Sequence, residues 1–167
     1  MIVLETARLL FRDHEPGDLD PFCAMEADPE VRRYVGGRPR TREEGEQKFR
    51  DVYLKPITNR MGMWATVFKP EGRYIGYCGV YAGSMPGEGT LGYYIAHDYW
   101  GRGLASEAAR AFVDFAFRDL ALTRIIASVE AGNQASKRIL EKLGFQLEWR
   151  EPGERRSFDH FALERTP

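Results

Sequence analysis

The sequence is short of cysteine and histidine and has no long apolar run. Its 167 residues include two cysteines, Cys23 and Cys78, which form no Cys-x-x-Cys pair. That excludes a disulfide framework and a thioredoxin-like motif, and both residues fit small buried hydrophobes in a reduced, cytoplasmic chain. His14, His97 and His160 have no ligand-like spacing to one another or to the cysteines, so no metal site is expected. The opening MIVLETARLLFR lacks the apolar core of a signal peptide. No later stretch approaches the ~20 apolar residues of a membrane span. An excess of one charge is also missing. The net charge of −1 marks the chain for neither nucleic acid nor a membrane surface. There is no GxxxxGK[ST] and no GxGxxG with a distant acidic partner, which removes the P-loop and the dinucleotide fingerprint. Gly83-Ser84-Met85-Pro86-Gly87 does not fit GxSxG, so a nucleophile elbow is absent.

What is present is an ordinary globular composition, 43% hydrophobic and 29% charged, long enough for one domain over residues 1–167. Val3 to Arg12 reads as a first strand and Asp18 to Ala27 as a helix that stops at Asp28-Pro29. Thr41-Arg42-Glu43-Glu44 is a capping box that predicts a second helix from Arg42 to Tyr53. The arginine-rich run from Arg32 to Arg42 is followed at once by Glu43, Glu44 and Glu46 and reads as an ion-paired surface. Met63–Phe68 and Tyr74–Tyr81, joined by a Pro-Glu-Gly turn, predict a hairpin, and Thr90–Ala96 a further strand. Next comes a helix with Leu104, Ala108, Phe112 and Phe115 on a buried stripe. Glu107, Arg110, Asp114 and Arg118 fall on a charged solvent face. Thr123–Glu130 reads as a strand, Asn133 caps a last helix that Gly144 ends, and Gln146–Trp149 and Phe158–Glu164 are strands. Thr90 to Glu130 is thus a strand–helix–strand unit suited to a parallel crossover. The fold class is α+β (mixed α/β): a mixed sheet with helices on both faces.

One local feature points to chemistry. Tyr99-Trp100-Gly101-Arg102-Gly103-Leu104-Ala105-Ser106 sets two glycines at the start of a helix, where glycine is unfavourable by roughly 1 kcal/mol. A helix N-terminus carries free N–H groups and a partial positive charge, and it attracts phosphates. Glycine lets the backbone approach such an anion, Ala105 and Ser106 stay small, and Arg102 adds a cation. A pyrophosphate fits, and so does a plain tight turn.

The same stretch resembles the acetyl-CoA pyrophosphate loop of the GNAT superfamily of N-acetyltransferases, with pattern Gln/Arg-x-x-Gly-x-Gly/Ala. Trp100 holds the first place, Gly103 the glycine and Ala105 the small residue. Tyr-Trp-Gly followed by Ser-Glu-Ala is similar to the Rim-type branch, which contains the N-terminal acetyltransferases of ribosomal proteins. Glu5 to Arg12 resembles the family's opening strand, Ala27 to Val31 the turn after its first helix, and Asn133 to Phe145 its second cofactor helix. The resemblance implies a twisted, mostly antiparallel sheet of about six or seven strands.

It also implies roles. The loop, from Trp100 and Gly101 through Arg102, Gly103, Leu104 and Ala105 to Ser106, would hold the pyrophosphate of acetyl-CoA. The strand end Ile95-Ala96-His97 would pair with the pantetheine. Asn133 would bond that arm, with Ser136 near the sulfur. Many relatives place a proton-donating Tyr where this chain has Leu140, so Ser136 becomes the candidate acid. They place a Glu where this chain has Thr90, so Glu88 becomes the candidate base. Glu148, His160 or an ordered water are alternatives. The implied partner is an amine acceptor, a protein N-terminus or a small molecule, with neither nucleic acid nor membrane. The protein would be a monomer or homodimer. Antibiotic or polyamine acetylation, a non-catalytic acyl-CoA sensor, and an unrelated phosphate-binding module stay open.

Overall fold

The computed structural model describes residues 1–166. Eight strands form one sheet: β1 (Ile2–Glu5), β2 (Leu9–Arg12), β3 (Gly62–Phe68), β4 (Arg73–Ala82), β5 (Glu88–Ile95), β6 (Arg124–Glu130), β7 (Gln146–Glu151) and β8 (Phe158–Glu164). Their spatial order is β1-β2-β3-β4-β5-β6-β8-β7. Every pairing is antiparallel except β5 with β6, the parallel pair expected of the strand–helix–strand unit. The helices are α1 (Leu19–Ala27), α2 (Pro29–Arg32), α3 (Arg42–Lys48), α4 (Leu104–Arg118) and α5 (Gln134–Lys142).

The count of eight strands corrects the expectation of six or seven. The predicted first strand is two strands folded back on each other. Thr6, Ala7 and Arg8 make the turn, closed by Thr6 N–H to Leu9 O (2.9 Å) and Leu9 N–H to Thr6 Oγ1 (2.9 Å). Glu107 of α4 holds it from outside, accepting from Thr6 Oγ1 at 2.5 Å and from the Arg8 backbone N–H at 3.1 Å. So Glu107 is not on a solvent face, as its helical spacing suggests; it is partly buried and joins α4 to the β1–β2 turn. Against the burial that disfavours its charge, the bonds from Thr6 and Arg8 hold its carboxyl below the ordinary range.

Two further boundaries move. Asp28 does not simply stop α1; its carboxylate accepts Glu30 N–H (2.8 Å) and starts the one-turn α2. The capping box at Thr41 and Glu44 forms as expected. The regular helix nevertheless ends at Lys48 and continues as a wider π turn over Phe49–Tyr53.

Cores lie on both faces of the sheet. On one, α4 and α5 bury Leu104, Phe112 and Leu140 against Phe11, Trp64, Ile75 and Ile125. Truncating a ring such as Phe112 to Ala there costs about 3–5 kcal/mol. On the other, α1 and α3 pack Phe22, Cys23 and Phe49 over Tyr77. Cys23 and Cys78 are both free and buried. Among the described residues no helix is long and apolar enough to cross a membrane, and no group of three or more His, Cys, Asp or Glu is placed to hold a metal.

Candidate active site

β5 and β6 are hydrogen-bonded only from Glu88 to Thr90, opposite Arg124 to Ile126. Beyond that point both strands continue but pair with each other no further. The gap is the floor of a cleft of about 600 Å³. The N-terminus of α4 and the start of α5 wall it on one side, and residues near α2 and β8 on the other.

The phosphate-loop prediction maps onto this cleft. Gly101, Gly103, Leu104, Ala105 and Ser106 line it, as do Ile95, Trp100, Asn133 and Ser136. Gly101 and Gly103 both have φ of +73°, in the left-handed region. An added Cβ would meet nothing within 4 Å at Gly101 and only Arg8 Nη2, at 3.7 Å, at Gly103. Within the protein, then, the glycines are required by backbone conformation rather than by crowding. That conformation leaves six consecutive amides, 101 to 106, without an acceptor among the described residues; Glu107 N–H is the first to return to the helix, on Gly103 O. Six free donors ending in a helix N-terminus fit a pyrophosphate.

Other predicted cofactor residues serve the loop from behind. The Trp100 indole N–H donates to Ile95 O at 2.7 Å, so the residue in the Gln/Arg place braces the strand end. His97 does not reach the cleft wall; it packs against Trp100 with ring centroids 4.6 Å apart. Ala96 packs toward the second core. The Arg102 guanidinium lies over the Tyr99 ring, 4.9 Å from its centroid, not in the cleft. Arg8, which sequence reasoning missed, brings a second cation to the loop. It donates from Nη1 to Arg102 O (2.9 Å) and from Nε to Glu107 (2.7 Å).

Asn133 caps α5, its Oδ1 accepting Ser136 N–H at 3.1 Å. Its amide nitrogen bonds no group among the described residues. Ser136 Oγ lies 2.7 Å from the hydroxyl of Tyr93, a β5 residue not singled out from sequence. Burial pushes the Tyr93 phenol well up, against the opposing effect of the Ser136 bond. Leu140, at the position the resemblance gives to a donor tyrosine, is fully buried in the main core.

Glu88, the candidate base, is not brought to the cleft. It is buried where β5 starts, accepting Ser84 N–H (3.1 Å) and Arg124 Nε–H (3.1 Å). A carboxylate that closes a loop and neutralises a neighbouring guanidinium has a structural task there. Glu148 also binds Arg124, at 2.5 Å. The opposite wall holds Glu30, Tyr34, Tyr94, Glu130, Arg156 and Phe158. Arg156 and Glu130 form an ion pair, with Nε 3.0 Å from Oε2. At the surface the arginine run is ion-paired as its charge pattern predicts, Arg38 with Glu44 and Arg42 with Glu46 and Asp20; Arg32 departs from that expectation, being buried, and with Arg40 it pairs with the buried Glu26.

The sheet splits beside a helix N-terminus bearing free amides, an arrangement with room for an extended ligand that carries an anionic group. The sequence matches the family description "Acetyltransferase (GNAT) domain" over residues 8–146. The chain belongs to the GNAT superfamily of acetyltransferases, enzymes that draw on acetyl-CoA. It is 35% identical over 153 residues to a protein named uncharacterized N-acetyltransferase p20 of Bacillus licheniformis, covering 89% of this chain and 84% of that one. Among solved structures, a GNAT-family acetyltransferase from Bacillus anthracis superposes with a TM-score of 0.86 at 22% identity, covering 98% of both chains. Two others share the fold. A spermidine N-acetyltransferase of Vibrio cholerae, solved with CoA and spermine, gives a TM-score of 0.79 at 18% identity, covering 95% of this chain and 96% of that one. A ribosomal-protein-S5-alanine acetyltransferase of Vibrio fischeri gives 0.76 at 19%, covering 98% and 96%.

Proposed function

We propose that residues 1–167 are one acetyltransferase domain of a reducing, cytoplasmic compartment. It passes an acetyl group directly from acetyl-CoA to a primary amine, on a protein N-terminus or a small molecule. The observation that carries this reading is the run of free amides from Gly101 to Ser106 at the open end of the cleft. Those amides and the α4 N-terminus would hold the pyrophosphate, the free edge of β5 near Ile95 the pantetheine, and the Asn133 amide the same arm. Acetyl-CoA supplies an activated thioester carbonyl. Ser136, bonded to Tyr93, is the hydroxyl nearest to the role of protonating the departing thiolate. Because Tyr93 donates to or accepts from that hydroxyl, the pair can pass a proton where a lone serine is a poor acid.

The acceptor wall supports a neutral or singly charged amine over a polyamine. Glu130 is already neutralised by Arg156, and the surrounding arginines spend their charge on Glu26, Glu44 and Glu46. The buried Leu140 is the one observation that favours a non-catalytic acyl-CoA sensor.

Calorimetric titration with acetyl-CoA tests the loop. Saturable binding is expected, and Gly103→Glu should weaken it by about 100-fold or more, because a carboxylate then faces the phosphates. Unchanged affinity in the folded variant would remove the loop assignment. Thiol release from acetyl-CoA over alkylamines, spermidine and peptides starting with Ala or Ser separates enzyme from sensor. Tight binding without release on any of them would favour the sensor.

A further inference from the structure

The acceptor wall contains a hydrogen-bonded chain that the reading above leaves unused. Ile125, Ala127 and Val129 of β6 face the main core, so Ser128 faces the opposite side of the sheet. Ser128 lies two residues past Ile126, the last β6 residue paired with β5, and it lines the cleft where the strands begin to part. His160 of β8 is its direct cross-strand partner, with Nδ1 2.8 Å from Ser128 Oγ. The other ring nitrogen, Nε2, is 3.0 Å from Glu151 Oε2 of β7. Trp149 of β7 stacks on the imidazole, with centroids 3.9 Å apart and planes 4° from parallel.

Donor and acceptor rules settle the direction of this chain. An ionised Glu151 only accepts, so Nε2 carries the hydrogen. A neutral ring then presents the Nδ1 lone pair, which accepts from the Ser128 hydroxyl. Proton on Nε2, lone pair on Nδ1, hydroxyl in the cleft: this is the order of groups that draws a proton from the cleft to an imidazole and stabilises the resulting cation with a carboxylate. The indole face adds a cation–π attraction for the protonated ring.

We propose that Ser128, His160 and Glu151 are the proton relay that makes the acceptor amine nucleophilic. The inference rests on the acetyltransferase reading and supplies the base that Glu88 does not. An incoming ammonium gives one proton to Ser128 Oγ as the hydroxyl's own proton passes to His160 Nδ1. The amine is left with a free lone pair, serine is unchanged and the imidazolium faces Glu151. The amine nitrogen forms the C–N bond at the thioester carbonyl and the C–S bond breaks. The nitrogen's surplus proton goes with the thiolate, and His160 returns its proton to solvent. Glu151 is a positioning residue in this scheme, because it fixes the tautomer without touching substrate.

The charges around the ring are few. Glu151 faces it from β7. Glu130, two residues along β6 on the same side, is held by Arg156. Asp159, next in β8, points to the other side of the sheet with Lys137 and is also met by Arg150.

The test is steady-state acetylation of the best-reacting amine from the panel of alkylamines, spermidine and Ala- or Ser-starting peptides, with acetyl-CoA affinity measured in parallel. His160→Asn and Ser128→Ala should each lower kcat/KM at pH 7 by about 100-fold or more while acetyl-CoA affinity stays within about twofold. The acid limb of the kcat/KM–pH profile should vanish in His160→Asn, and Glu151→Gln should lower kcat with the KM for the amine unchanged. Variants within about threefold of wild type, with an unchanged acid limb, would overturn the relay alone. So would an acetyl group found on Ser128 by mass spectrometry, since that makes it a nucleophile. Wild-type protein that binds acetyl-CoA but acetylates no amine would overturn the transferase reading, and the relay with it.

Discussion

Replacing Gly103 with alanine isolates the conformational demand of the loop before α4 from any clash. Gly103 has φ +73° and ψ 9° at the N-cap of α4. Its surroundings are open, since a methyl group would meet only the flexible end of Arg8 at 3.7 Å. What alanine meets is the left-handed backbone itself, at roughly 1–2 kcal/mol for an L-residue. That cost has two routes of expression. If the loop keeps its shape in Gly103→Ala, the unfolding free energy falls by about 1–2 kcal/mol and Tm by roughly 2–8 °C, with acetyl-CoA affinity intact. If the free loop relaxes to negative φ, stability is spared, the amides turn away, and affinity falls by about 5- to 30-fold. The two losses together should sum to the same strain. Urea denaturation and calorimetry on one sample measure both. Gly101→Ala, at the same φ, should behave alike, and Gly103→Asn should cost less because Asn tolerates this region. Gly17→Ala, in open space and without a positive φ, is the control. If Gly103→Ala changes neither quantity by more than about 0.3 kcal/mol, the left-handed backbone is not why glycine stands there.

Two other outcomes follow from buried charge. His14 is buried among Phe49, Tyr53, Tyr74 and Tyr77, and burial holds its pKa down to about 4. Its folded value lies below the unfolded one, so the unfolded chain takes the proton first. Stability should be full above about pH 6.5 and fall by roughly 3 kcal/mol as pH drops to 4; His14→Phe should flatten that slope in urea melts, and an identical slope would refute the assignment. Glu26 is buried and meets Tyr77 Oη at 2.7 Å, Arg40 Nε at 2.6 Å, Arg32 at 3.2 Å and Lys48 at 3.6 Å. Glu26→Gln should cost about 3–5 kcal/mol in chemical denaturation, because it leaves buried cations without a counter-charge; a loss under about 1 kcal/mol would mean that water reaches the cluster.

Much of the loop and helix geometry that lines the cleft was legible in the sequence. The reason is that its parts are local. Gly101, Gly103 and the start of α4 are neighbours in the chain. Asn133 caps its own helix, and Leu104, Ala108 and Phe112 declare their helix by spacing. The resemblance implies that this generic anion site serves CoA. Glu88 stands apart from the cleft for the opposite reason. Glu88 looked suitable from its position in a strand, but its partner Arg124 lies 36 residues away and draws it out of the cleft.

Local signals determined where strands, caps and the phosphate loop lie, because backbone conformation and side-chain periodicity act over a few residues. Strand pairing determined which side chains meet. Thr6 and Arg8 reach Glu107 across 101 and 99 residues, and that contact ties the β1–β2 turn to α4. Ser128 meets His160, and His160 meets Glu151, only because β6, β8 and β7 lie side by side in one register. A register slip of one residue would turn each of those side chains to the other face of the sheet, and only packing of the two cores selects among registers.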